Sequence, residues 1–500
     1  MKLAQLLEGL GVVDAGDAPD VEVSGIAYDS RAVRPGDVFF ALKGGRSDGG
    51  EFVADAIARG AVAAVAERGA GPKVTVVADA RRALALASHR FYGDPTARLR
   101  VAGVTGTAGK TTTTFLLESM LRAAGRRTGL VGTVVYRFAG HEQPAPLTTP
   151  QSTDLARMMD EMARAGVDTV AMEVTSHALA QHRATGVRFA AAAFTNMSRE
   201  HLDFHADMED YFHAKLLLFT SFGVGDRAAF NVEDPWARRA REESGARGIG
   251  FGLAEGADVT ARDPRFGSDG IRAEIVTPAG AIGVVSPLVG RINLMNILCA
   301  TSLATLLGIE PAAIAEGVRS LSGVPGRMEN VGRPFGRRVI VDFSHKLDAL
   351  TRVLAIGRTL GPGRLVTVIG CGGDRDQGKR PLMGRAAAEG SDVVVLTSDN
   401  PRSEDPLAIL RAIEEGIEGT GCRRFDPAAG RAPEGRGLYT IVEDRAAAIR
   451  LAVASAGPDD TVLICGKGHE TYQIVGDTVR HFDDREEAAA ALREQLGAPA

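Results

Sequence analysis

Apolar residues along the chain fall into short runs, separated by Gly-, Pro- and Asp-rich turns and by longer stretches with helical spacing. In residues 1–97 the runs are VEVSGIAYDSRAVRPGDVFFAL, AVAAVAE and KVTVVAD, closed by the turn in FYGDPTARLR, which predicts a small α/β unit. A second unit opens at RVAGVT, a buried strand by its β-branched content. It runs through GTAGK into TTTTFLLESMLRAAG, a helix ended by Gly125. VDTVAMEV (167–174) and RFAAAAFTN (188–196) predict further buried strands. Strands separated by helices imply a parallel sheet with crossover connections. A third unit begins near Gly326 and carries RRVIVDF, RLVTVIG, DVVVLTS, LYTIV and TVLICG, five apolar strands in a doubly wound pattern. DPAAGRAPEGRG (426–437) reads as an exposed loop, and no internal repeat is visible. The expected architecture is therefore α/β in three domains: 1–97, a small N-terminal unit; 98–327, a central unit with a mainly parallel sheet around a phosphate loop; and 328–500, a Rossmann-like doubly wound unit.

Length agrees, since 500 residues are too many for one core at roughly 100–200 residues per domain. A net charge of −5 gives no reason to expect nucleic acid as a partner. The four cysteines, Cys299, Cys371, Cys422 and Cys465, have no CxxC spacing, which suggests a reduced, cytoplasmic chain without a thiolate metal site. MKLAQLLEGLG is broken by Glu8 and reads as a short amphipathic helix rather than a signal peptide. No uncharged apolar run approaches 20 residues, so no membrane span is expected.

GVTGTAGKTTTT (103–114) joins a strand to a helix. Strict GxxxxGK[ST] would need glycine where Val104 stands; the loop is better written GxxGxxGKT, with Gly103, Gly106 and Gly109. Glycines let backbone N–H groups face phosphate oxygens, the helix start adds positive potential, Lys110 adds a point charge, and the Thr111 hydroxyl is within reach of a magnesium ion. The loop implies a nucleotide and leaves kinase, ATPase and ligase open. Glu173, ending a strand in the same unit, is a candidate carboxylate for that magnesium. His201 and His205, four apart, would face one way on a helix, but without HExxH or cysteines they do not make a zinc site. SDNPR follows the strand DVVVLT and so lies at the carboxyl edge of the third sheet, where doubly wound sheets bind ligands. There Arg402 offers a planar fork for a carboxylate.

GVT–GTAGKT resembles the phosphate loop of the Mur ligases and the folylpolyglutamate synthetases. LTTPQSTDL, MEVTSHALAQHR, FTNMSREHLDFHADMEDYFHAK, GVPGRME, VDFSHKLDAL, GCGGDRDQGKRPLMG, SDNPRSEDP and GKGHETYQ follow in the order of Mur ligase motifs, from Tyr28 to Gln473. The resemblance implies an ATP-dependent ligase of peptidoglycan precursor synthesis. Its reaction would join meso-diaminopimelate to UDP-N-acetylmuramoyl-L-alanyl-D-glutamate through an acyl phosphate, in a cytoplasmic monomer. A lysine-adding or folylpolyglutamate-type relative is the alternative, and a P-loop kinase or regulatory ATPase the alternative of another class. By resemblance the first domain binds the UDP-sugar, the central one ATP and the last the amino acid. ATP falls to Gly103, Thr105, Gly106, Thr107, Ala108, Gly109, Lys110, Thr111, Thr112, Asn296 (with Asn293 its partner), Arg327, Asp342 and His345. Catalysis falls to Lys110, Lys215 and Arg327. Magnesium falls to Thr111, Glu173, His201 and Lys215, the lysine carrying a CO2-derived carbamate; His205 is expected to be structural. The UDP-dipeptide falls to Tyr28, Ser30 (with Arg31), Gly45, Arg46, Ser47, Thr148, Thr149, Thr175, Ser176, Gln181 and Arg183. Diaminopimelate falls to Arg375, Asp399, Asn400, Pro401, Arg402, Gly466 and Glu470. Its distal carboxylate, absent from lysine, would pair with Arg402, which lysine would leave buried and unpaired. The chain departs from the family at Ala108, Gln151, Lys346 and Leu347, the last two standing where a Thr-Pro pair is usual.

Overall fold

The computed structural model describes residues 1–15, 21–44, 48–69, 71 and 73–497. Two compact units emerge: Met1–Arg262 with Glu274–Gly283 and Met295–Val318, and Arg319–Ala500 with Asp263–Ala273 and Val284–Leu294.

The first unit holds two sheets. The smaller runs in the order Val12–Asp14, Val74–Val77, Ala63–Ala66, Asp37–Phe40, Gly25–Ala27, with only the first strand antiparallel. Leu3, Leu6, Leu7 and Leu10, at helical spacing, close its core together with Ala80, Ala83, Leu84 and Ala87 of the helix Ala80–Phe91. The larger sheet has eight strands in the order Ile249–Phe251, Ala228–Asn231, Phe189–Phe194, Arg100–Thr105, Thr169–Glu173, Thr128–Val131, Val135–Phe138, His141–Pro144. The first six are parallel and the last two form an antiparallel extension. Both faces of the central strands are buried, which is why they read as unbroken apolar runs. Register places Glu173 opposite Val104 and Phe194 opposite Thr105, so three strand ends surround the phosphate loop.

The second unit is built on a seven-stranded sheet in the order Glu329–Asn330, Arg338–Asp342, Thr461–Cys465, Leu365–Ile369, Val393–Leu396, Leu438–Ile441, Arg423–Arg424, parallel except at its first pair. Alternation with period two sorts its side chains. Ile340, Leu463, Ile369, Val394 and Leu396 meet the helices Leu347–Thr359, Lys379–Gly390 and Pro406–Glu414 on one face. Val341, Ile464, Val366, Val368 and Val395 meet Arg445–Ser455 and Asp484–Leu496 on the other. The five strands expected from sequence are all present. Short strands without an apolar run escaped it: Glu329–Asn330, Arg423–Arg424, and the hairpin Tyr472–Val475/Thr478–His481. A three-stranded sheet of Thr260–Gly267, Gly270–Thr277 and Gly280–Ser286 also escaped it. Within 426–437 the chain makes one 3-10 turn at Pro427–Ala429 and buries Ala432. Among the described residues no helix is long and apolar enough to cross a membrane.

Candidate functional site

The phosphate loop proper is Gly106–Gly109. Two of the residues expected in it belong to the strand. Gly103 lies inside Arg100–Thr105, where a Cβ would stand 2.7 Å from the Phe189 ring, so its glycine serves packing rather than phosphate approach. Thr105 ends the strand fully buried, its carbonyl accepting the Thr195 amide at 3.0 Å. At Gly106, φ is +136° and a Cβ would lie 2.0 Å from Thr195 Oγ1; at Gly109, φ is +88° and a Cβ would lie 2.5 Å from Asn296 Oδ1. Asn196 holds the loop from the neighbouring strand end. Its Oδ1 accepts the Ala108 amide (3.0 Å), its Nδ2 donates to Ala108 O (3.1 Å), and its carbonyl accepts the Thr107 amide (2.8 Å). Those two amides thus face Asn196 and not an anion. Amides suited to phosphate lie at the helix start, where Thr111 and Thr112 precede the intrahelical bond of Thr113 N–H to Gly109 O at 2.9 Å. The Lys110 ammonium donates to Gly106 O (2.8 Å) and Thr107 O (2.9 Å).

Glu173 is fully buried at the end of its strand and accepts only neutral donors: Thr111 Oγ1 at 3.1 Å, the Thr133 amide at 2.7 Å and Thr133 Oγ1 at 2.9 Å. Lys215, on the helix Met208–Thr220, is 1% exposed and donates to Gly106 O at 3.1 Å, with its ammonium 4.4 Å from the Tyr211 ring. Burial, then the charge of Lys110, hold its pKa well below the ordinary lysine range. His201 and His205 are not on a helix. The helix starts only after the Asp207 cap, and His201 has φ +57° in the preceding turn. The two do converge on His177, whose ring lies 4.7 Å from that of His201 and 5.6 Å from that of His205. His205 is buried between Asp210 (3.1 Å) and Ser176 Oγ (3.0 Å), a structural placement.

Of the residues expected at the nucleotide-sugar, Gly45, Arg46 and Ser47 lie outside the described residues. Tyr28 donates its hydroxyl to Asp154 at 2.6 Å; burial, then Asp154, push its pKa up. Ser30 is buried in a 3-10 turn capped by Asp29, whose carboxylate also pairs with exposed Arg31. Thr148 Oγ1 lies 3.1 Å from Thr133 Oγ1. Thr149 is buried, and its hydroxyl donates to Glu173 O (2.9 Å) while accepting the Thr175 amide (3.2 Å). Thr149, Thr175 (the cap of Ser176–Ala180) and Ser176 therefore spend their side chains on the scaffold. Arg183 donates to Thr149 O (3.3 Å) and Gln181 Oε1 (2.6 Å), which brings a guanidinium to the same strand end.

In the second unit the residues expected to bind lie at or beyond the carboxyl end of a strand, except Arg327, which precedes the strand Glu329–Asn330. Asp342 ends Arg338–Asp342. Its carboxylate is buried, already receives the Met328 amide (2.8 Å), the Ser344 amide (2.9 Å) and the Ser344 hydroxyl, and is held above the ordinary carboxylate range by burial. Three donors thus occupy the group expected to take ribose hydroxyls. Arg327 stacks 4.6 Å over Phe343, whose ring also meets His345 (4.6 Å) and His469 (4.9 Å). His345 binds Phe343 O through Nδ1 (2.9 Å). Burial lowers its pKa, and burial with Arg327 lowers that of His469 to about 3. Arg402 is partly buried in the left-handed region (φ +52°) and donates to Gly373 O at 2.6 Å. Asn400 donates to Glu470 at 3.0 Å. Fully buried Lys467 lies 3.2 Å from both Glu470 and Asn400 Oδ1, and 3.7 Å from Asp399. Arg375 is exposed beside Asp374 O (3.0 Å). Gly466 has φ +119° and packs near Asp399 Oδ2.

Three family models match the chain: Mur ligase family, catalytic domain, at residues 22–91; Mur ligase middle domain at 104–304; and Mur ligase, glutamate ligase domain, at 326–468. A UDP-N-acetylmuramoyl-L-alanyl-D-glutamate–2,6-diaminopimelate ligase of Solibacter usitatus is 46% identical over 487 residues, 96% of this chain and 95% of the relative. The ligase of that name from Geobacter metallireducens is 44% identical, with 99% of each covered. The chain belongs to the Mur ligase family. Among solved structures, a ligase of that same name aligns at TM-score 0.68 and 30% identity, covering 97% of this chain and 99% of the other. A MurF ligase of Thermotoga maritima in complex with ADP shares the fold at TM-score 0.61 and 20% identity.

In this Mur ligase two of the departures from the family pattern start helices. Gln151 sits at the start of the helix Ser152–Arg164 without a side-chain cap, and Lys346 does the same for Leu347–Thr359, where Leu350 N–H still reaches Lys346 O at 2.9 Å. Sequence reasoning missed Thr133, Thr195, Asn196, Lys467 and Gln473. Thr195, Asn196, Lys467 and Gln473 lie inside the family-like motifs, which was the available signal. Thr133 and its two bonds to Glu173 had none.

Proposed function

We propose that this Mur ligase joins meso-2,6-diaminopimelate to the D-glutamyl γ-carboxylate of UDP-N-acetylmuramoyl-L-alanyl-D-glutamate, with ATP as co-substrate, in a cytoplasmic step of peptidoglycan precursor synthesis. A carboxylate oxygen attacks the γ-phosphorus and ADP leaves, giving an acyl phosphate. The amino group then attacks the acyl carbon, phosphate leaves through a tetrahedral intermediate, and the amine proton passes to solvent. Lys110 and the first-turn amides of Thr111 and Thr112 balance the developing phosphate charge, and Arg327 adds a guanidinium. Arg183 pairs with the anionic acceptor. The observation that carries the substrate assignment is the Asp399–Arg402 turn, which sets a partly buried guanidinium against the Gly372–Gly373 loop at the carboxyl end of the sheet. It does so in a chain 46% identical to a ligase named for that amino acid.

The donors near the loop suit magnesium. A fully buried carboxylate bonded only to neutral groups, with a threonine hydroxyl at 3.1 Å, is a hard oxygen set. Glu173 and Thr111 would hold the ion, and when bound it would supply charge neutralisation at the phosphates. Lys215 fits the carbamate for a geometric reason: a fully buried amine whose hydrogen-bond partner is one carbonyl is poorly held as an ammonium. Its neutral nitrogen adds to CO2, an N–C bond forms, one proton leaves, and the site gains an anion. The enzyme acts as a monomer in this reading.

The test is direct. The protein is incubated with ATP, magnesium, the UDP-dipeptide and either meso-diaminopimelate or L-lysine, and the product is weighed by mass spectrometry. A diaminopimelate adduct formed far faster than a lysine adduct supports the assignment. Preference for lysine, or ATP turnover independent of both other substrates, overturns it.

A further inference from the structure

Arg402 is a non-glycine residue in the left-handed region, a conformation that persists only where surrounding structure over-determines it. The surroundings are a hairpin. Gln473 Nε2 donates to Asp399 O at 2.8 Å, and the Ile474 amide donates to Asn400 Oδ1 at 3.0 Å. The Arg402 amide donates to Ile474 O at 3.1 Å, and the Gly476 amide to Arg402 O at 2.7 Å. Four hydrogen bonds from one stretch of four residues therefore fix the Asp399–Arg402 turn. On its other side the turn abuts Gly373, where a Cβ would stand 1.9 Å from Pro401 O. Gln473 is 1% exposed, and its orientation is set from across the hairpin: Arg480, its register partner, donates to Gln473 Oε1 through Nε (3.0 Å) and Nη2 (2.6 Å). With the oxygen taken by a guanidinium, the amide nitrogen must face the Asp399 carbonyl.

We propose that Gln473, fixed by Arg480, is the positioning residue that makes Arg402 selective, holding the guanidinium where the distal carboxylate of diaminopimelate meets it. The proposal rests on the role given to Arg402 above. Loss of the Gln473 side chain leaves the Asp399 carbonyl without its donor and lets the turn relax, which moves Arg402. A substrate with no distal carboxylate is indifferent to that movement.

The experiment measures KM and kcat for meso-diaminopimelate, L-lysine, ATP and the UDP-dipeptide on the full chain. Gln473→Ala is expected to raise KM for diaminopimelate about tenfold, the scale of one buried hydrogen bond, with KM for ATP and the UDP-dipeptide unchanged. The preference for diaminopimelate over lysine falls by the same factor. Arg480→Ala, at an exposed position, shifts the preference the same way by less. In an Arg402→Ala background, adding Gln473→Ala changes nothing further, because Gln473 acts through that side chain. Equal changes in every KM, or additive effects in the double variant, overturn the proposal. If Gln473→Ala fails to fold, Arg480→Ala decides alone, and an unaltered preference overturns it. An unaltered preference in Arg402→Ala overturns the role of Arg402 itself, whatever Gln473 does.

Discussion

The imidazole of His89 is packed against Gly186, where a Cβ would stand 2.5 Å from the ring, and neither ring nitrogen meets a hydrogen-bond partner among the described residues. Burial brings its pKa down from 6.5 to about 4. The unfolded chain therefore binds a proton that the folded chain refuses between those two values, so stability rises with pH across that window and is lost as pH falls from 6.5 toward 4. The full contribution is about 3 kcal/mol. His89→Phe is expected to flatten the loss of Tm between pH 7 and pH 5; an unchanged pH dependence would contradict the assignment. Lys215 is the second single residue with a sharp consequence. Arginine stays cationic and cannot form the carbamate, so Lys215→Arg should lower kcat by at least about a hundredfold, the scale of one phosphate-site electrostatic contact. With 13C-bicarbonate, NMR should show a carbamate carbon in the parent protein and none in the variant. A carbamate signal that persists in Lys215→Arg would assign it elsewhere.

Elements explain where the chain was legible. Strand ends were visible because parallel strands are apolar throughout and stop near a polar residue, which put Glu173 and Asp342 at strand ends and Asp399 just beyond one. The histidine pair was misplaced because spacing of four suggests a helix. The Asp207 carboxylate, which accepts the Asp210 amide, starts that helix only at Met208, beyond both histidines. GxxGxxG merged a strand glycine, Gly103, with two loop glycines because spacing cannot tell packing from phosphate approach. Thr133 and Asn196 were illegible as partners because their bonds join strands remote in sequence. The same scale yields a prediction for the two helices Arg445–Ser455 and Asp484–Leu496. Their first residues form a bidentate ion pair (2.7 Å for each bond) with both side chains fully buried, and Arg445 also donates to Cys465 O at 3.0 Å. Removing one partner strands the other charge, so Arg445→Met should destabilise by about 3–5 kcal/mol. Chemical denaturation would measure it, and a loss below 1 kcal/mol would show the pair to be dispensable.

For the whole molecule, each of the two compact units has hydrophobic clusters of its own among the described residues. Separate cores predict that unfolding is not two-state: calorimetry should give a calorimetric enthalpy larger than the van't Hoff value, with Arg445→Met shifting one transition only. A single transition with equal enthalpies would refute this. The α/β class and the mainly parallel sheets were legible from strand–helix alternation. Strand order was not, because alternation fixes direction but leaves neighbours open.

The backbone at position 402 also limits how the turn can be retargeted. In the left-handed region a Cβ crowds the adjoining carbonyl oxygen, and only glycine, with asparagine and aspartate behind it, settles there with ease. A designer wanting a different amine at this turn thus chooses from a short menu: branched side chains are closed off, aspartate reverses the sign of the contact, and glycine leaves it empty. The facing loop is closed to change as well, since any side chain at Gly373 would run into the Pro401 carbonyl.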